Sequence, residues 1–122
     1  MRALVYAAFG AVLALPALSF VIYRKKRTRT VVFTASEQTA HYFKQGVFLV
    51  RDKESFIALS AKCTHLGCTV RFDQLKGKFV CPCHKSVYDA AGKRLAGPAQ
   101  DDLQTLSVTL RENGDIEVVV EV

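Results

Sequence analysis

A chain of 122 residues has room for one small domain. Its net charge of +6 sits at one end: six of the seventeen Lys and Arg lie in residues 1–29, which hold no acid, and residues 30–122 balance eleven bases against eleven acids. A neutral folded part argues against nucleic acid as a partner, since phosphate binding needs a basic face. Four cysteines are too few for a disulfide scaffold but enough for one metal site.

The chain opens with an uncharged run from Ala3 to Tyr23, rich in Ala, Leu, Val and Phe. That length crosses a hydrocarbon core as a helix, and Tyr6 and Tyr23 suit its two interfaces. Pro16 is tolerated in a membrane helix. The competing reading is a cleaved signal peptide, but the run is long for one and no small-x-small site precedes a neutral start. We therefore expect an anchor over 1–23, a basic tether or hinge over 24–34 drawn to anionic headgroups, and a folded domain over 35–122.

From Val31 the pattern is one of short strands. Strands are expected at Val31–Ala35, Gly46–Arg51 and Ser55–Ser60, the last two joined by a turn at Arg51-Asp52-Lys53-Glu54. Thr69–Asp73 and Gly77–Cys81 form a second hairpin. Leu103–Arg111 and Ile116–Val122 are joined by Glu112-Asn113-Gly114-Asp115, where Asn-Gly is a strong hairpin signal. His41 falls in a polar segment and is expected at the surface with no role. The fold class is all-β, a small antiparallel sandwich or barrel.

The chemistry concentrates between Cys63 and Ser86. Cys63-Thr64-His65-Leu66-Gly67-Cys68 and Cys81-Pro82-Cys83-His84-Lys85-Ser86 stand twelve residues apart and hold all four cysteines and two of the three histidines. Zinc, a two-iron cluster and structural disulfides are the three fates open to such a set. Zinc sites pair like with like, whereas each box here mixes thiol and imidazole. A cluster whose irons differ, one held by two Cys and one by two His, needs one of each from both loops. The mixed boxes favour the cluster.

These boxes, continued by Val87-Tyr88-Asp89 and by Gly92 to Gly97-Pro98-Ala99, resemble the Rieske iron–sulfur proteins, in the branch serving quinol-oxidising cytochrome bc complexes. The close resemblance covers about residues 60–100 and implies a Rieske-like β sandwich with two cluster-binding loops, preceded by one transmembrane helix. It implies a [2Fe-2S] cofactor with Cys63 and Cys81 on the buried iron and His65 and His84 on the outer one. It further implies a Cys68–Cys83 disulfide, a Ser86 hydroxyl on a bridging sulfide and a Tyr88 hydroxyl on the Cys63 sulfur. Such donors raise the potential of a reduced cluster. Leu66 would shield the cluster and touch quinone, and the loop at Gly97 and Pro98 would brace it. Two departures from the family pattern stand out. Lys85 replaces a glycine, which is strained if the position needs positive φ, and Gln100 replaces a proline, which should loosen the bracing loop.

The implied function is one-electron transfer from quinol to a c-type haem, with cytochrome b and a c-type cytochrome as partners in the bilayer. His84 would contact quinol and take the proton, with His65 beside it. The chain is an electron-transfer subunit and not catalytic alone. Two other readings stand beside it: a small subunit of an arsenite-oxidase-like enzyme that relays electrons without quinol, and a soluble-type ferredoxin. The spare Cys68 and Cys83 count against the latter. Topology signals conflict. Bases after the apolar run place the head in the cytoplasm, whereas a disulfide and the resemblance place it on the outer face, which we expect.

Overall fold

A computed structural model describes residues 27–122. The expected anchor and most of the basic run lie outside them, and among the described residues no helix is long and apolar enough to cross a membrane. Among the described residues ten strands follow in order: β1 Thr28–Phe33, β2 His41–Lys44, β3 Val47–Asp52, β4 Ser55–Ser60, β5 Arg71–Asp73, β6 Lys78–Val80, β7 Val87–Tyr88, β8 Arg94–Ala96, β9 Thr105–Leu110 and β10 Ile116–Glu121. They form two antiparallel sheets, one ordered β1-β10-β9-β4-β3-β2 and the other β5-β6-β7-β8. The all-β antiparallel expectation holds.

Burial explains the layering. In β3 the run Val47-Phe48-Leu49-Val50 is buried on both faces, because its side chains alternate between two cores. Val47 and Leu49 join Val31, Phe33, Ala58, Leu106, Ile116 and Val118 inside the six-stranded sheet. Phe48 and Val50 face the second sheet and pack with Leu59, Val70, Phe79 and Tyr88. Cys63 and Cys81 belong to this second core, so the site is rooted in packing shared by both sheets.

The six-stranded sheet curls until its ends meet. Arg29 Nη2 donates to the Gln45 carbonyl at 2.7 Å, and Lys44 Nζ donates to the Val32 carbonyl at 2.9 Å and to the Glu37 carboxylate at 2.8 Å. Thr28–Phe33, within the stretch expected as tether, is therefore not free chain. It pairs with β10 from Thr28↔Glu121 to Phe33↔Ile116, since Val31 and Phe33 have a core to fill. Strands β2, β7 and β8 were not expected from the sequence. β2 turns into β3 through Gln45 and Gly46, both at positive φ (47° and 77°), the geometry of a two-residue hairpin turn.

The expectation that His41 lies free at the surface is corrected. Its ring is half-buried and stacks on Phe72, with centroids 3.7 Å apart and planes 15° apart, because β2 lies against the edge of β5. Its Nε2 is enclosed without a hydrogen-bond partner among the described residues. Burial pushes the imidazole below its ordinary value. The folded state thus favours neutral His41, and the stability this contributes is present above the unfolded value near pH ~6.5 and lost as pH falls through the folded one. Arg71 lines the same cleft and offers no compensating anion. His41→Phe, which keeps the stack and removes the proton site, is expected to lose less melting temperature than wild type between neutral pH and pH ~5. Identical acid slopes for both proteins would contradict this.

Candidate metal centre

Two loops and a brace converge at one end of the four-stranded sheet. Loop one, residues 61–70, joins β4 to β5, and loop two, residues 81–86, joins β6 to β7. They are built alike. In loop one Cys63 N–H donates to the Cys68 carbonyl (2.8 Å) and Gly67 N–H to the Cys63 carbonyl (2.9 Å). In loop two Cys81 N–H donates to the Ser86 carbonyl (2.8 Å) and Lys85 N–H to the Cys81 carbonyl (3.1 Å). Each loop is one closed turn that starts at a cysteine, so Lys85 holds the place of Gly67. Gly67 has φ 81° and Lys85 has φ 61°. The condition attached to Lys85 in the sequence is met: the turn requires positive φ, and lysine adopts it.

The turns sort their side chains by depth. Cys63 and Cys81 are buried free thiols. His65 is half-buried, His84 is exposed, and their rings meet edge to face with centroids 4.9 Å apart. Two sulfurs below and two imidazoles above form a donor set that fits a cluster with unlike irons. Cys68 and Cys83 are bridged across the loops. The sulfurs of Cys68, Cys81 and Cys83 lie within 4.8 Å of one another, but two of the three are joined to each other, so that trio is not a ligand set.

Hydroxyls surround the thiols. Tyr88 is fully buried, with its oxygen 3.3 Å from Cys63 Sγ and 3.1 Å from Thr64 Oγ1. Thr64 Oγ1 donates to the Asp101 carbonyl at 2.7 Å, and Thr64 N–H donates to the Tyr88 oxygen at 3.4 Å. With the Thr64 proton committed to Asp101, the Tyr88 proton is the one left for Thr64 Oγ1 or the sulfur. Burial pushes the Cys63 thiol up, but hydrogen bonds from Tyr88, the His65 backbone, Cys81 and Ser86 bring it below the ordinary thiol value. Burial, and then the Cys63 contact, push the Tyr88 phenol up. A thiol inclined to ionise beside a phenol inclined to keep its proton is an arrangement that can donate to sulfur.

Ser86 is fully buried, and its oxygen accepts the Ala99 N–H at 3.1 Å, leaving its own proton to donate. The brace is residues 97–103. Gly97 lies against loop two so closely that a Cβ there would stand 2.5 Å from Ser86 Cα. Arg94 holds the brace, donating from Nε to the Ala99 carbonyl (2.6 Å) and from Nη2 to the Gly97 carbonyl (3.0 Å). Gln100 Nε2 donates to the Pro98 carbonyl at 3.3 Å, a restraint in place of the absent proline. Pro98 and Leu66 are exposed at the tip, Leu66 at 71%. The sequence reading missed Thr64 and Arg94. Thr64 lies inside the motif, but its partner Asp101 is far along the chain, and Arg94 acts on carbonyls that no residue type announces.

The profile of the Rieske [2Fe-2S] domain family matches residues 20–107. The chain is 52% identical over 56 residues to cytochrome b6-f complex iron-sulfur subunit 2 of the Cyanophora paradoxa cyanelle, covering 46% of this chain and 23% of that one. It is 46% identical over 70 residues to cytochrome b6-f complex iron-sulfur subunit 1 of Nostoc sp. (strain PCC 7120), covering 56% and 38%. The chain thus spans between about a quarter and two-fifths of these relatives' length. Among solved structures, the plasma membrane Rieske protein PetC3 of Synechocystis PCC 6803 is similar, with 39% identity and a TM-score of 0.52 over 59% of this chain and 74% of that one. A profile match across most of the chain, two buried thiols and two facing imidazoles agree: the chain belongs to the Rieske [2Fe-2S] domain family and carries its two-iron cluster.

Proposed function

We propose that this protein is the membrane-anchored electron carrier of a cytochrome bc-type complex, taking one electron from quinol and passing it to a c-type haem. Cys63 and Cys81 would hold the inner iron, and His65 and His84 the outer one. When bound, the cluster would supply one-electron storage, and the residues around it would hold and tune it. The observation that carries the reading is the depth ordering, with thiols buried and His84 exposed beside an exposed Leu66. With the cluster bound, the exposed His84 would offer its outer ring nitrogen to the proton of a quinol hydroxyl reaching this tip, and exposed Leu66 would supply an apolar wall. Ser86 and Tyr88 donate toward the sulfurs and favour the added electron. The relatives are named as iron-sulfur subunits of cytochrome b6-f complexes, which supports cytochrome partners for this chain, and the Cys68–Cys83 bridge supports an oxidising outer face for the head. In this reading residues 1–23, which lie outside the described residues, would be its anchor.

Ser86→Ala is expected to lower the midpoint potential by the value of one hydrogen bond to a charged group, about 1.5 kcal/mol, or about tenfold in the reduction equilibrium. An EPR-monitored redox titration reads it, and an unchanged midpoint removes Ser86 from the role. Quinol added to the membrane complex should reduce the cluster, and a quinol-site inhibitor should alter the EPR line. If neither occurs while the cluster titrates normally, the relay without quinol is the correct function.

A further inference from the structure

Among the described residues, three that are not glycine are left-handed: Gln45, Lys53 and Lys85, with φ 47°, 55° and 61°. Gln45 and Lys53 sit in tight hairpin turns, β2 to β3 and β3 to β4. Lys85 sits between a proposed iron ligand and buried Ser86. The matching turn of loop one places glycine at the equivalent position, with the same hydrogen bond back to its leading cysteine. Glycine would take this conformation without the steric cost that a Cβ carries. Strain of this kind at a functional site points to what the side chain does there.

The side chain offers one property that glycine lacks, a positive charge. Lys85 is exposed and, like Lys53, Lys62 and Lys78 and unlike Lys44, Lys76 and Lys93, makes no ion pair among the described residues. Its backbone is fixed by the turn and by Gly97, whose Cβ would stand 2.9 Å from the Lys85 carbonyl. The cation is thus attached to a rigid point of the cluster loop and is not neutralised. Building on the ligand assignment proposed above, we infer that Lys85 is a potential-setting residue, whose charge favours the arriving electron and is retained at the expense of backbone strain.

Three variants of the full chain with its cluster separate charge from shape. Lys85→Gln removes the charge, Lys85→Arg keeps it, and Lys85→Gly removes charge and strain together. In a redox titration at low salt, Gln and Gly are expected to shift the reduction equilibrium about threefold toward the oxidised form, the scale of one solvated charge a side chain's reach away. That is a midpoint lower by ~28 mV, at about 59 mV per tenfold for one electron. Arg should match wild type. At ~1 M salt, where the screening length falls to ~3 Å, the difference should vanish. Lys85→Gly should also melt at a higher temperature than wild type, which reads strain without reference to the cluster. A Gln midpoint equal to wild type at low salt, or a shift that persists undiminished at high salt, overturns the inference. Absence of any cluster signal in wild type overturns the ligand assignment instead, and with it the ground for this one.

Discussion

Gly97→Ala is expected to be among the most damaging single substitutions near the site, costing about 2–4 kcal/mol and loosening the cluster. Two costs add. Its φ of 94° lies where an L side chain is strained, worth about 1 kcal/mol. The new methyl would also stand 2.5 Å from Ser86 Cα and 2.9 Å from Ser86 N and the Lys85 carbonyl oxygen. All three are backbone atoms, so no flexible side-chain end can yield, and forced overpacking costs about 1–3 kcal/mol. The movement that relieves the clash separates the brace from loop two and breaks the bond from Ala99 N–H to the Ser86 hydroxyl. Gly77→Ala is the control. Gly77 also has positive φ, 61°, but nothing lies within 4 Å of a Cβ there, so only the first cost applies. Denaturant titration of both variants should show Gly97→Ala as the worse by at least ~1 kcal/mol. Equal losses would mean the brace does not press on the loop.

The second large effect is removal of the bridge between the loops. Cys68 and Cys83 are separated by 15 residues, and cross-linking a loop of that length contributes about 3 kcal/mol in the chain-entropy account. The double variant Cys68→Ala, Cys83→Ala is preferred over either single one, since a lone thiol left within 4.8 Å of Cys81 Sγ would compete for metal. The double variant is expected to unfold about 3 kcal/mol more readily and to lose its cluster faster to a chelator. The core of Val31, Phe33, Leu49 and Val118 does not include the bridged residues, so amide exchange in β1 and β10 should accelerate far less than it would after global collapse. A double variant as stable as the oxidised wild type, with cluster loss at the same rate, would show that the bridge does not hold the loops.

How much of this was legible beforehand depends on the range of each signal. The two boxes were readable because ligands and turns are local, three to six residues long. Long alternating strands such as β10 were readable because one face must fill a core. Strands β7 and β8 have two and three residues, too short for any periodicity. β2 reads His-Tyr-Phe-Lys with half-buried and exposed members, so no clean alternation marks it. His41 looked like a surface residue because it falls in a polar segment; its cover, Phe72, comes from another sheet. Loop two tells the same story in reverse. Lys85 could be flagged as a departure, but only its φ and its match to Gly67 fix what the departure costs.

The sheet curl has a consequence for crowding. The strands at the two ends of the six-stranded order, β1 and β2, are stitched by Arg29 on the Gln45 carbonyl and Lys44 on the Val32 carbonyl. Each stitch occupies an acceptor that an outside strand would otherwise recruit, and each puts a cation in the row. Copies held side by side at high local density therefore meet the two end strands of the six-stranded sheet already engaged with each other, which blunts edge-to-edge pairing there. The same two side chains that close the sheet thus also guard its ends against strand addition.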